Sequence, residues 1–164
     1  MKSVDSALEV LNFASLDAIQ FYETSARLNA GFPGDFTTTE ESENTSEEPT
    51  QEWLFSIQKS PDHINFRARL EIESNDSQYV VDVAAFYSFT EPLSISDEIL
   101  QEFINRAAMI AVYPFAREAL HELARKVNAH VPILGIYNPG DIAVDLSIAE
   151  KRPSASIKPP KELS

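Results

Sequence analysis

Apolar and polar residues alternate more cleanly along His63–Glu73 than anywhere else in the chain. Ile64, Phe66, Ala68, Leu70 and Ile72 point one way, and Asn65, Arg67, Arg69, Glu71 and Glu73 point the other. A strict period of two predicts a strand with one buried and one wet face, as in an antiparallel sheet. The segment before it, Glu52–Gln58, places Trp53, Phe55 and Ile57 on one face. The turn Asn75-Asp76-Ser77 leads into a third apolar stretch, Tyr79–Phe89. An earlier strand is expected from about Ala18 to Leu28, rich in β-formers but without clean alternation, and broken by Gly31-Phe32-Pro33-Gly34. These segments predict a four-stranded antiparallel meander. Ahead of them, Val4, Leu8 and Leu11 fall at helical spacing, so Val4–Phe13 reads as a short amphipathic helix.

After Glu91-Pro92 the apolar spacing becomes helical, with Ser94 or Ser96 as the cap and Asp97 and Glu98 near the positive end. Ile99, Leu100, Phe103, Ile104, Ala107, Ala108 and Ile110 form a broad apolar face. Phe115, Ala119, Leu120, Leu123 and Val127 continue it. Pro114 lies between the two runs. A helix interior excludes proline at roughly 3 kcal/mol, so a kink or a junction of two helices is expected there. Faces this wide imply either packing against another copy or a helix wedged between its sheet and the terminal segments. Val131–Tyr137 then reads as short and extended, Asn138-Pro139-Gly140-Asp141 as a turn, and Ile142–Ala149 as a short strand or helix.

The chain's 164 residues suit one domain with a real core. The expected limits are a folded domain over 1–150, with a disordered acidic loop at about 35–51, and a disordered, basic, proline-rich tail over 151–164. The acidic loop is either a plain insertion or a docking arm for a basic partner. The absence of cysteine removes disulfides and thiolate metal sites. The formal net charge of -13 argues against a nucleic-acid surface and fits either a solvated exterior or attraction of basic partners. The N-terminus lacks the apolar run of a secretory signal, and Ala107–Tyr113 is too short to span a bilayer. The expectation is a cytoplasmic protein without membrane insertion.

No catalytic constellation is legible, and the chain reads as a non-enzyme without metal or cofactor. His121-Glu122-Leu123-Ala124-Arg125 has half of a zinc-protease helix, but Arg125 stands where the second histidine belongs. There is no glycine-rich phosphate loop and no Gly-x-Ser-x-Gly elbow. Arg117-Glu118 is expected to be a helix charge pair or an anchor to a neighbouring loop, not an acid–base pair. Asp82, inside an apolar strand, is expected on the wet face.

The run Tyr113-Pro114-Phe115-Ala116-Arg117-Glu118, followed by Val131-Pro132-Ile133-Leu134, resembles the signature of SecB, the bacterial export chaperone, and of SecB-like chaperones. Phe21-Tyr22 and Val80-Val81-Asp82-Val83 add weaker support. The resemblance implies an α+β fold with a four-stranded antiparallel sheet and a long proline-kinked helix. It implies a homo-oligomer, a dimer or a dimer of dimers, with Phe103, Ala107, Ile110, Tyr113 and Phe115 at the interface. It further implies ATP-independent holding of unfolded or pre-secretory polypeptides in protein export. Trp53, Phe55 and Ile57, with Ile142, Val144 and Leu146, would line the client groove, the alternative for the first three being an ordinary core face. Val80 and Asp82 match positions that dock the SecA motor in export-type members. Ser25 and Asn29 replace the acids of the first strand, so a chaperone dedicated to an antitoxin, or a non-chaperone interaction module, stays open beside the export role.

Overall fold

The computed structural model describes residues 1–29, 48–129, 134–142, 144 and 146. In chain order the elements are β1 (Lys2–Ser3), α1 (Ala7–Phe13), β2 (Ala14–Leu28), β3 (Thr50–Lys59), β4 (His63–Glu73), β5 (Ser77–Phe89), β6 (Leu93–Ser94) and α2 (Asp97–Phe103). A π-helical turn, Ile104–Ala108, joins α2 to α3 (Met109–Val127), so one long helix follows the sheet. The fold is α+β, as the sequence implies. The expected turn at 31–34, most of the acidic loop, Val131–Ile133 and the tail lie outside the described residues.

The main sheet is antiparallel, but its order is β2-β5-β4-β3, not the consecutive order of a meander. β3, β4 and β5 do follow one another through tight turns. β2 has no tight turn to β3, so nothing local ties the two together, and it docks on the far edge beside β5. Contacts at the N-terminus favour that edge. β1 pairs in parallel with β6, and the Thr90 N–H donates to the Phe13 carbonyl at 3.0 Å. The result has the connectivity of a Greek key. Two register shifts in β2, at Leu16/Ala18 and Phe21/Glu23, explain why its sequence lacks clean alternation.

The short helix is also corrected in phase. α1 starts at Ala7, capped by the Ser6 hydroxyl, which accepts from the Glu9 N–H at 3.2 Å. Val4 therefore precedes the helix, and Ala7 and Val10 form its buried face. Leu8 and Leu11 point outward, Leu8 at 72% exposure.

The long helix begins at Ser96, whose hydroxyl accepts from the Ile99 N–H at 3.4 Å. It runs through Pro114 as one α-helix, and the departure from α geometry falls earlier, in the π turn. That placement has a packing reason. Leu100, Ile104, Ala108, Val112, Ala116, Leu120 and Ala124 are all buried at four-residue steps. In an α-helix such steps drift by about 40° each. A π turn, with more residues per turn, reverses the drift locally and keeps the stripe on the sheet. Asn128, in the left-handed region at φ 53°, ends the helix.

α3 packs chiefly over β5, with contacts to β2 and β4. Phe103 has no exposed surface and meets Tyr87 edge-to-face at 5.2 Å. Replacing Phe103 with Ala is expected to lower stability by about 3–5 kcal/mol, measured by urea unfolding. Burial pushes the Tyr87 hydroxyl from 10.0 up to about 12. The unfolded chain therefore ionises first, and the stability held below pH 10 is lost as pH rises towards 12. Tyr87→Phe should flatten that alkaline loss; an unchanged pH profile would refute the assignment.

Candidate functional site

The sheet presents Trp53, Phe55 and Ile57 on its helix-facing side, opposite Leu70, Ala68 and Phe66 of β4. All three are half-buried and border the core. A row of rings runs through them. Phe66 stacks on Phe55 at 5.7 Å, Phe55 on Trp53 at 6.2 Å, and Trp53 on Tyr113 of α3 at 6.0 Å. Tyr113 meets Tyr137 at 5.2 Å. The Trp53 indole Nε1–H is enclosed and has no acceptor.

Two hydroxyls fasten the chain after the helix back onto it. Tyr113 donates to the Gly135 carbonyl at 2.9 Å, and Tyr137 donates to the Asn105 carbonyl at 3.2 Å. Burial raises the pKa of both, with Asp141 adding to it. Beside them lies a cleft of about 500 Å³ lined by Ile110, Pro114 and Ile136 together with Arg117, Glu118 and His121. Ile136 is 83% exposed. Further along, Leu134 and Val144 are buried, while Ile142 and Leu146 are half-buried against the core. No pattern along the chain marks the cleft, because Tyr113 and Tyr137 meet only through tertiary packing.

The predicted site residues divide accordingly. Trp53, Phe55 and Ile57 share one strip, and Ile142 and Leu146 reach the same core. Val144 is a correction: it is buried in the core and offers no surface to a client. Whether 142–149 forms a helix lies outside the described residues. Among the interface candidates, Ile110 and Phe115 are exposed and Ala107 is half-buried. Phe103 is corrected, because it sits wholly inside the core. Tyr113 is buried and belongs to the aromatic row. Among the described residues there is no cluster of three or more metal-type side chains, and no helix long and apolar enough to cross a membrane.

This is an α+β protein with an apolar strip at a sheet margin. No family model matches the chain. The SecB-like chaperone SmegB of Mycolicibacterium smegmatis is 24% identical over 82 residues, which cover 50% of this chain and 56% of SmegB. The match thus spans little more than half the length of that relative. In fold, the chain matches the SecB-like chaperone of Mycobacterium tuberculosis solved in complex with a ChAD peptide from the HigA1 antitoxin. The TM-score is 0.61 at 14% identity, covering 80% of this chain and 93% of that one. A protein of unknown function from Streptococcus agalactiae overlaps more loosely, with a TM-score of 0.41 at 8% identity, covering 75% of this chain and 97% of that one. The chain is thus similar to SecB-like chaperones over half of its sequence and shares the fold of one of them.

The outer sheet face corrects the reading of Asp82. Its side chain does point to that face, but it is 1% exposed. Arg67 donates to both its oxygens at 2.8 Å, and Arg69 adds a third bond at 3.2 Å. Arg69 also donates to Glu23 at 2.5 Å and Glu71 at 2.6 Å, bridging three strands. The hydrogen bond to Arg69 holds the Glu23 carboxyl below its usual range, and the bonds to Asp82 raise Arg67. Asp82 is enclosed, so it does not offer a free carboxylate, while Val80 is half-buried. Arg67→Ala strands a buried charge and is expected to lower stability by about 3 kcal/mol. The double variant Arg67→Ala/Asp82→Ala should lose less than the two single losses added together; strict additivity in urea unfolding would refute the coupling.

Proposed function

We propose that the protein is an ATP-independent holdase that captures unfolded or pre-secretory polypeptides along the strip of Trp53, Phe55 and Ile57, extended by Ile142 and Leu146. The observation that carries this reading is the half-burial of the Trp53 and Phe55 rings, with Ile57 beside them, on a SecB-like fold. A closed core would seal these rings, and a purely structural strand margin would bear polar residues. Homo-oligomerisation through the exposed Ile110 and Phe115 belongs to the same reading. SecA docking through Asp82 does not, since that carboxylate is enclosed by arginines.

A second reading, a chaperone dedicated to one antitoxin, is favoured by the fold neighbour solved with an antitoxin peptide. The two differ in breadth. A general holdase suppresses aggregation of an arbitrary chemically unfolded protein without ATP, whereas a dedicated one does so only for its partner. Wild type is expected to suppress such aggregation, and Phe55→Asp to lose most of that effect while keeping its circular dichroism spectrum. Ile57→Gln, a milder change at the same strip, should lose part of it. No suppression by wild type would overturn the general reading, and full suppression by both variants would move the site off this strip.

A further inference from the structure

The sheet has two edges, and they are built differently. β2 is interrupted by two register shifts and carries charge along its length at Asp17, Glu23 and Arg27. Bulges and charges are the devices that keep an edge from pairing with another chain. β3 has neither. Its register with β4 is unbroken from Thr50 to Lys59, and residues 53–58, Trp-Leu-Phe-Ser-Ile-Gln, contain no charge, proline or glycine. Among the described residues no strand pairs with β3 on its other side. A segment of this composition on an open edge is a template for strand addition.

Resting on the holdase reading, we infer that an extended apolar segment of a non-native polypeptide adds to the sheet as a fifth strand along the free edge of β3. Main-chain hydrogen bonds supply contacts that do not depend on the client's sequence, while its alternate side chains continue the apolar strip of Trp53, Phe55 and Ile57. Charge sets the preferred flank. The entry to β3 carries exposed Glu48 and Glu52, with Glu71 and Glu73 opposite on β4. At the far end Lys59 is already held by Asp97 at 3.0 Å. The fitting occupant therefore has an uncharged, alternating apolar centre and lysine or arginine where it passes the glutamates.

The test uses the full chain and a synthetic peptide of alternating valine and threonine with a lysine pair at each end, N-methylated at one backbone nitrogen at a time. Methyl groups at every second position are expected to weaken binding about tenfold each, and those between to leave it unchanged, because only alternate amides face the edge. Hydrogen exchange of the protein should show alternate amides within 53–58 protected on peptide binding. A scan without alternation overturns the inference, as does failure of the peptide to bind a protein that suppresses aggregation. Suppression with a flat scan removes the fifth strand and leaves the holdase standing. Alternation without suppression keeps the fifth strand and removes the holdase.

Discussion

One helix cannot cover four strands, and the rest of the molecule follows from that mismatch. A helix with its side chains is about 10–12 Å across, whereas strands lie about 4.8 Å apart. α3 therefore covers roughly two to three strands, and it is centred on β5 with β2 and β4 beside it. β3 is left with an apolar face and only the flank of the helix to set against it. Tyr113 reaches across to Trp53, and the segment carrying Tyr137 is pinned behind Tyr113. The half-burial of the strip is thus a consequence of layer geometry.

The opposite face meets the same shortage of cover in another way. Ala84 and Phe86 point outward from β5 yet are buried. Around them Arg67 lies over the Tyr22 ring at 4.4 Å and grips Asp82, while Arg69 ties β2, β4 and β5 together. A buried ion pair contributes little net stability compared with an apolar replacement, because both charges lose their hydration. What it does supply is a unique register, since each guanidinium has one place where all its bonds are made. The charged face is satisfied internally, and the apolar strip remains the surface with contacts to offer.

Much of this was legible in the chain, and the failures have physical causes. The alternation in His63–Glu73 placed β4 correctly at both ends, because a half-buried strand writes its faces into the sequence. The strand order was not read, although a signal existed. Residues 79–87 are apolar almost without interruption, which marks a strand covered on both faces and hence central, next to two neighbours. Asp82 was expected in water because an isolated acid normally is. Its two arginines sit 13 and 15 residues earlier on the neighbouring strand, where only register brings them opposite. Phe103, which the family resemblance places at an interface, lies instead in the core against Tyr87, just before the π turn that keeps the helix's apolar stripe on the sheet.

The energetics of capture favour a main-chain contribution over side chains alone. Burying a large apolar side chain completely is worth about 1.5–3 kcal/mol, and three that are already half-buried would add roughly half of that each. The total, about 2–5 kcal/mol, falls short of the roughly 8 kcal/mol that micromolar binding requires, before the ordering of the client is counted. The deficit has to be met by contacts any polypeptide can make or by repeating the site in an oligomer. An edge without bulges and with an uncharged centre meets the first need. The glutamates at the entry to β3 oppose the pairing of two such edges with each other. They attract basic flanks by the same charge, so one feature disfavours edge-to-edge pairing and favours the flank inferred for the client.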